Sequence, residues 1–168
     1  MDYFLMKQSG TVTIPKEVQI EDAQMEDVSP ADPSVRITHN LPSLDKFDYL
    51  AGEHLVSDNL KLLLEQYLPE QLWRPCVFVD TTAVDQRTFW FLPSLPYVPE
   101  RVVAASNGMP AAVYVNPEDF AQKAPAILNI RSAKGKSFLV VHLSVAESML
   151  RRGICGVELV RLSDADAM

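Results

Sequence analysis

One pattern recurs in this chain and constrains its fold more than any other. A short apolar strand runs into a serine placed to cap a helix, an amphipathic helix follows, and a second strand closes the unit. The first copy surrounds Ser57. Glu53-His54-Leu55-Val56 reads as a strand or turn end, and Leu60, Leu63, Leu64, Tyr67 and Leu68 recur at three and four residues, on one helical face. The Ser57 hydroxyl can accept from an orphan N–H of the first turn, and Asp58 suits the positive end of the helix dipole. Pro69 ends the helix, and Trp73 to Asp80 reads as the closing strand.

The second copy surrounds Ser144. Phe138 to Leu143 is the strand, and Ser144-Val145-Ala146-Glu147 has the form of a capping box. Val145, Met149 and Leu150 form the apolar face of its helix, Arg151 and Arg152 suit the C-terminus, and Gly153 is the stop. Gly156 to Arg161 alternates as the last strand. Two copies make a local design; a solenoid would need more.

Around these modules lie further short strands: Asp2 to Lys7, Thr11 to Ile14, and Val35 to Thr38. Asp45 to Leu50 reads as a short helix or turn. Arg87 to Leu92 pairs back on the preceding strand through a hairpin near Val84-Asp85-Gln86, and two strands flank Asn107-Gly108. Asn116-Pro117 opens a short helix. Leu92 to Arg101 is an extended connector with Pro93, Pro96 and Pro99. The expectation is an α+β fold: a mixed, largely antiparallel sheet with a few Ser-capped helices packed on it. All 168 residues are expected in a single domain, with N-terminal strands and an acidic loop in 1–44 and the core in 45–162.

Charged residues are 22% of the chain and the formal net charge is −7, so a packed core is affordable and a phosphate backbone is a poor direct partner. A basic partner is favoured instead. No apolar stretch is long enough for a membrane helix, and Met1 to Lys7 lacks the basic start of a signal peptide, which points to the cytoplasm. Cys76 and Cys155 sit in apolar runs and read as buried, reduced thiols. His39, His54 and His142 are scattered, so neither a metal site nor a cofactor is expected.

Catalytic constellations are hard to find. Neither the dinucleotide fingerprint nor the phosphate loop occurs, and no Gly-x-Ser-x-Gly elbow is present. His142 and Ser144 share a strand face, but no third group orients the imidazole, so His142 reads as a packed strand histidine. His54 reads as a local hydrogen-bonding group before the helix cap. Asp80 and Asp85 bracket the hairpin and read as turn residues before an acid/base pair. An enzyme is not expected.

Binding residues are easier to nominate. Glu21, Asp22, Glu26 and Asp27 belong to an acidic stretch from Glu17 to Asp32 that suits a basic surface, and equally suits water. Tyr97 lies on the proline-rich connector, and Asp85 on the hairpin. Trp73 and Trp90 are anchors of the kind enriched at interfaces. Core packing is the expected use of Trp90; for Trp73, beside Arg74, both uses stay open.

The first module, Asp48-Tyr49-Leu50 through Leu55-Val56-Ser57-Asp58-Asn59-Leu60-Lys61-Leu62-Leu63-Leu64, resembles the strand, Val-Ser, helix segment of the immunity-protein-11-like family. Val140-Val141-His142-Leu143-Ser144 through Arg152-Gly153-Ile154-Cys155-Gly156-Val157-Glu158-Leu159 is similar to that family's C-terminal segment, with Leu159 where an aromatic is common. The resemblance covers roughly residues 45 to 162. It implies a protein that binds and neutralises a cognate toxin passed between bacteria by type VI secretion or a contact-dependent system. The toxin is expected to be basic and a nuclease such as a DNase, with its active site or substrate groove occluded. No catalytic residues come with the resemblance. The alternative is an adaptor or chaperone that loads an effector without inhibiting it.

Overall fold

The computed structural model describes residues 2–16, 18, 32–95, 102–104, 110–113, 125–131 and 137–162. In chain order the elements are β1 (Tyr3–Gln8), β2 (Ser34–Ile37), a 3-10 turn (Leu41–Lys46), β3 (Tyr49–Leu50), β4 (Leu55–Ser57), α1 (Asp58–Leu64), β5 (Arg74–Asp80), β6 (Asp85–Phe91), β7 (Val102–Ala104), β8 (Pro110–Val113), β9 (Ile127–Arg131), β10 (Ser137–His142), α2 (Leu143–Arg151) and β11 (Val157–Arg161). The fold is α+β, with two mostly antiparallel sheets and a few short helices. No helix among the described residues is long and apolar enough to cross a membrane.

The chain forms two compact units. One draws on Met1–Lys7, Ser94–Gly153 and Glu158–Met168, the other on Gln8–Pro93 and Ile154–Val157. The first unit holds a four-stranded sheet in the order β11-β1-β10-β9, so the first and last strands of the chain are neighbours. In the β1–β10 and β10–β9 ladders Leu5 faces Val140 and Val140 faces Leu128. These three residues join Tyr3, Ile130 and Leu162 in one core cluster. Leu139 and Val141, which point the other way, are buried as well. Burial on both faces is why Phe138 to Val141 reads as an unbroken apolar run. The strands β7 and β8 pair separately, antiparallel, around the Asn107-Gly108 position. The strand β9 was not expected. Its Asn129 side chain accepts a hydrogen bond from the Ser137 hydroxyl, a cross-strand tie that ordinary hydrophobic patterning does not signal.

The second unit holds a five-stranded sheet in the order β2-β5-β6-β4-β3, with β2 parallel to β5 and the other pairs antiparallel. Leu41, Leu44, Leu50, Leu55, Cys76, Phe78 and Phe89 form its core cluster. Leu41 and Leu44 reach it together because residues three apart eclipse one another in a 3-10 turn. Thr11 to Ile14 was expected as a strand but carries no ladder. Its alternation has another cause: Val12 and Ile14 both pack against this core. Asn116-Pro117 lies outside the described residues.

The two helix starts differ. Ser57 caps α1 as expected, accepting from the Leu60 N–H at 3.2 Å. Ser144 does not cap α2. The helix begins at Leu143 rather than Val145, and His142 is the cap, its Nδ1 accepting from the Ser144 N–H at 3.3 Å. Glu147 makes no capping box and instead approaches Arg151 one turn on, at 3.6 Å. Val145, Ala146 and Met149 are buried, whereas Leu150 is 74% exposed. At about 100° per residue it falls outside the arc those three define.

Candidate binding surface

Alternation along β5 and β6 gives the five-stranded sheet two different faces. Cys76 pairs with Phe89 and Phe78 with Arg87 on the inner side. Pro75 pairs with Trp90, Val77 with Thr88 and Val79 with Gln86 on the outer side, and β2 adds Val35 beside Val77 and Ile37 beside Val79. Val35, Val77 and Val79 are only half-buried, and Ile37 is 44% exposed. This outer face is thus apolar and partly open among the described residues.

One end of the face is aromatic. Trp90 is half-buried there and not in the core, where its neighbour Phe89 sits instead. A strand residue next to a core residue points the other way, so only one of the two aromatics could go inside. Trp90 Nε1 donates to Asp58 Oδ1 at 2.6 Å. The Lys61 ammonium lies 4.7 Å from the Trp90 ring centre and 5.7 Å from that of Trp73, and it pairs with Glu65. Helix α1 follows β4 without a loop, which is what brings Asp58 and Lys61 over the indole. Cation–π contacts of this kind are worth about 0.5–1 kcal/mol at exposed sites. Trp73 is half-buried, and its Nε1 has no acceptor among the described residues.

The other end is the β5–β6 hairpin tip. The turn falls at 81–84, a step before the expected Val84-Asp85-Gln86. Asp80 is 5% exposed, and its Oδ1 accepts from the N–H groups of Thr82 and Ala83 at 2.9 and 3.0 Å. Both aspartates are turn residues as expected, Asp85 accepting from the Gln86 N–H at 2.8 Å. That bond and the Arg87 guanidinium hold the Asp85 carboxyl below the usual carboxylate range. Arg87 also bonds Asp45, at 2.7 Å, which straps the tip to the 3-10 turn. Val84 is 90% exposed with φ +52°, a left-handed conformation that costs a β-branched residue about 1–3 kcal/mol.

Of the residues nominated from sequence, Trp73 and Asp85 fall at opposite ends of this hairpin. They are separated by about 20 Å of strand, so one compact site does not hold both. Glu21, Asp22, Glu26, Asp27 and Tyr97 lie outside the described residues. Lys61, Asp58 and Val84 were missed. No local signal marks Val84, since the loop Thr81-Thr82-Ala83-Val84 contains no glycine or asparagine to announce a positive φ.

The remaining polar groups serve the scaffold. Asp48 is 7% exposed; its Oδ1 accepts from the Ser57 hydroxyl and its Oδ2 from the Cys155 N–H at 2.7 Å. Cys155 itself is exposed, contrary to expectation, while its backbone N–H binds Asp48. Partial desolvation and the hydrogen bond to the Asp48 carboxylate push the thiol up, so the reactive thiolate is disfavoured. Cys76 is buried as expected. His54 plays the expected local role, its Nδ1 sharing a hydrogen bond with Tyr49 Oη at 2.8 Å, and burial lowers its pKa. Arg36, 4% exposed, forms a bidentate pair with Glu53 at 2.6 and 2.5 Å and lies 6.0 Å from the Phe78 ring centre. That guanidinium holds the Glu53 carboxyl below its usual range.

In the other unit His142 and Ser144 do meet, Nδ1 to Oγ at 3.0 Å. The same nitrogen caps α2, and the nearby Asp2 carboxylate is engaged by Arg161 at 2.6 Å. A base occupied as a helix cap is poorly placed to activate its serine. A groove of about 580 Å³ lies between Thr11–Pro15 and Ile37–Phe47; two of the hydroxyls lining it are used locally, Ser43 donating to the Asn40 carbonyl and Thr38 accepting from the Asn40 N–H. No group of three or more His, Cys, Asp or Glu side chains forms a metal site among the described residues.

Comparison with models of protein families and with characterised proteins produces no match for this chain.

Proposed function

We propose that this chain is a binding protein that neutralises a basic toxin, a nuclease, by covering its active site or substrate groove, and that it performs no catalysis. The observation that supports this most is the outer face of the five-stranded sheet. It is apolar along its middle, carries Trp73 and Trp90 at one end and ends in carboxylates at the hairpin tip. Large aromatics beside partly open apolar surface are the usual anchors of a protein interface, and a net charge of −7 steers such a surface toward a cationic partner. The resemblance of residues 45–162 to immunity proteins supplies the toxin class. The acidic residues Glu21, Asp22, Glu26 and Asp27 add to the negative balance of the chain, and the setting is the cytoplasm of the producing cell. An interface of ordinary size would bury about 1,600 Å² in total.

Co-expression with the product of the neighbouring gene tests the reading. Rescue of growth, a complex on size exclusion and loss of nuclease activity in that complex are expected. A complex that keeps full nuclease activity would favour an effector-loading adaptor. Failure to form any complex would overturn the binding reading itself.

A further inference from the structure

Val84 combines two features that are each unfavourable in isolation. It is 90% exposed, so its methyl groups add nothing to the core, and it is held at φ +52°. Glycine or asparagine would occupy that position without strain and without exposing apolar surface. The tip is nonetheless built to hold its shape. Asp80 binds two N–H groups of the turn, and Arg87 ties Asp85 to Asp45 of the 3-10 turn. A hollow of about 400 Å³ beside Val84 is lined by Val79, Thr81 and Gln86 as well as the two aspartates. From there the apolar strip runs back along the outer face through Val79 to Ile37. The charged side chains bonded at the tip are Asp45, Asp80 and Asp85 with Arg87, an excess of carboxylate.

We propose that this hairpin tip is the anchoring element of the interface. Val84 inserts into a small apolar pocket of the partner protein, and basic side chains around that pocket meet the Asp45 and Asp85 carboxylates. The inference rests on the toxin-neutralising reading and names the part of the chain that does the docking. Rigid presentation matters because a tip already fixed in its bound shape loses little entropy on docking. The excess of carboxylate is what selects a cationic pocket over a plain apolar one.

The experiment uses full-length protein and the purified product of the neighbouring gene. Val84→Gly and Val84→Asn both suit the left-handed backbone, so both should fold, with unfolding midpoints equal to or above that of the natural chain. Affinity for the neighbouring product should fall about tenfold or more in both variants. In Asp85→Asn the association rate should fall and lose part of its salt dependence. If the natural chain binds and both Val84 variants bind equally well, the inference is overturned while the toxin-neutralising reading stands. If the natural chain itself does not bind, both fall together.

Discussion

The five-stranded unit contains two sites where side chains fix a turn, and they treat stability in opposite ways. At Asp48 a buried carboxylate joins the cap of α1 to the 154–157 segment, and every nearby group gains a partner: Ser57 donates to it, Cys155 N–H donates to it, and Asp48 N–H donates to the Cys155 carbonyl at 2.9 Å. At the β5–β6 tip Asp80 and Asp85 hold a turn whose most prominent residue, Val84, is strained and exposed. The first site is what stabilisation by a buried polar group looks like when the accounting closes. The second gives stability up, and a loss retained at a rigid tip directs attention to binding.

The contrast can be broken first at the Asp48 side. Gly156 has φ +68°, and a Cβ there would lie 2.6 Å from the Lys46 carbonyl oxygen and 2.7 Å from the Phe47 Cα. Both are backbone atoms and cannot swing aside. Gly156→Ala should therefore destabilise the protein by about 3–5 kcal/mol, read as a large drop in the urea midpoint. A loss below 1 kcal/mol would show that the close approach is not real. Asp48→Ala should follow at about 3 kcal/mol, because it leaves the Ser57 hydroxyl and the Cys155 N–H without their acceptor. Asp48→Asn should recover part of that loss.

Acid should act next. Burial lowers the pKa of His54, and Arg36 lowers that of Glu53. For both groups the unfolded chain takes up the proton first, so stability falls as pH falls. The His54 loss starts near its ordinary value of 6.5 and the Glu53 loss near 4.5, and each continues down through the folded value. Above neutral pH both contributions are fully present. His54→Asn tolerates the positive φ of that position and should flatten the midpoint curve between pH 7 and 5; Glu53→Gln should flatten only the lower limb. An unchanged curve for His54→Asn would reject the role given to that ring. The smallest effect has the opposite sign: Val84→Gly should stabilise by about 1 kcal/mol through relief of the left-handed backbone. A decrease in its midpoint would mean that the valine is supported by contacts that its exposure conceals.

Much of the scaffold was legible. The three- and four-residue spacing of Leu60, Leu63 and Leu64 placed α1, though the helix ends at Leu64 and does not reach Tyr67, Leu68 or the expected stop at Pro69; the run Phe138 to Val141 placed β10, and Gly153, with φ +64°, marked the stop of α2. Less of the candidate surface was legible. Trp73 and Asp85 were nominated together as binding residues, and their separation along the hairpin was invisible until β5 and β6 were paired residue by residue. Trp90 was assigned to the core because its neighbours Phe89 and Phe91 are apolar too. Only the register shows which side of the sheet it takes.

Sequence alone determined the local events: most of the strands, where Ser57 would cap, where Gly153 would follow the end of α2, and the acidic balance of the chain. These follow from backbone sterics, side-chain periodicity and charge, all of which act between neighbours along the chain. Tertiary structure decided the rest. It moved the α2 cap from Ser144 to His142, left Cys155 exposed with its N–H bound to Asp48, laid Lys61 across Trp90, and forced Val84 into a conformation that no residue in its loop advertises. Those outcomes depend on pairing between segments up to 107 residues apart, and the geometry of such pairs is set by sheet register and packing rather than by any short stretch of sequence.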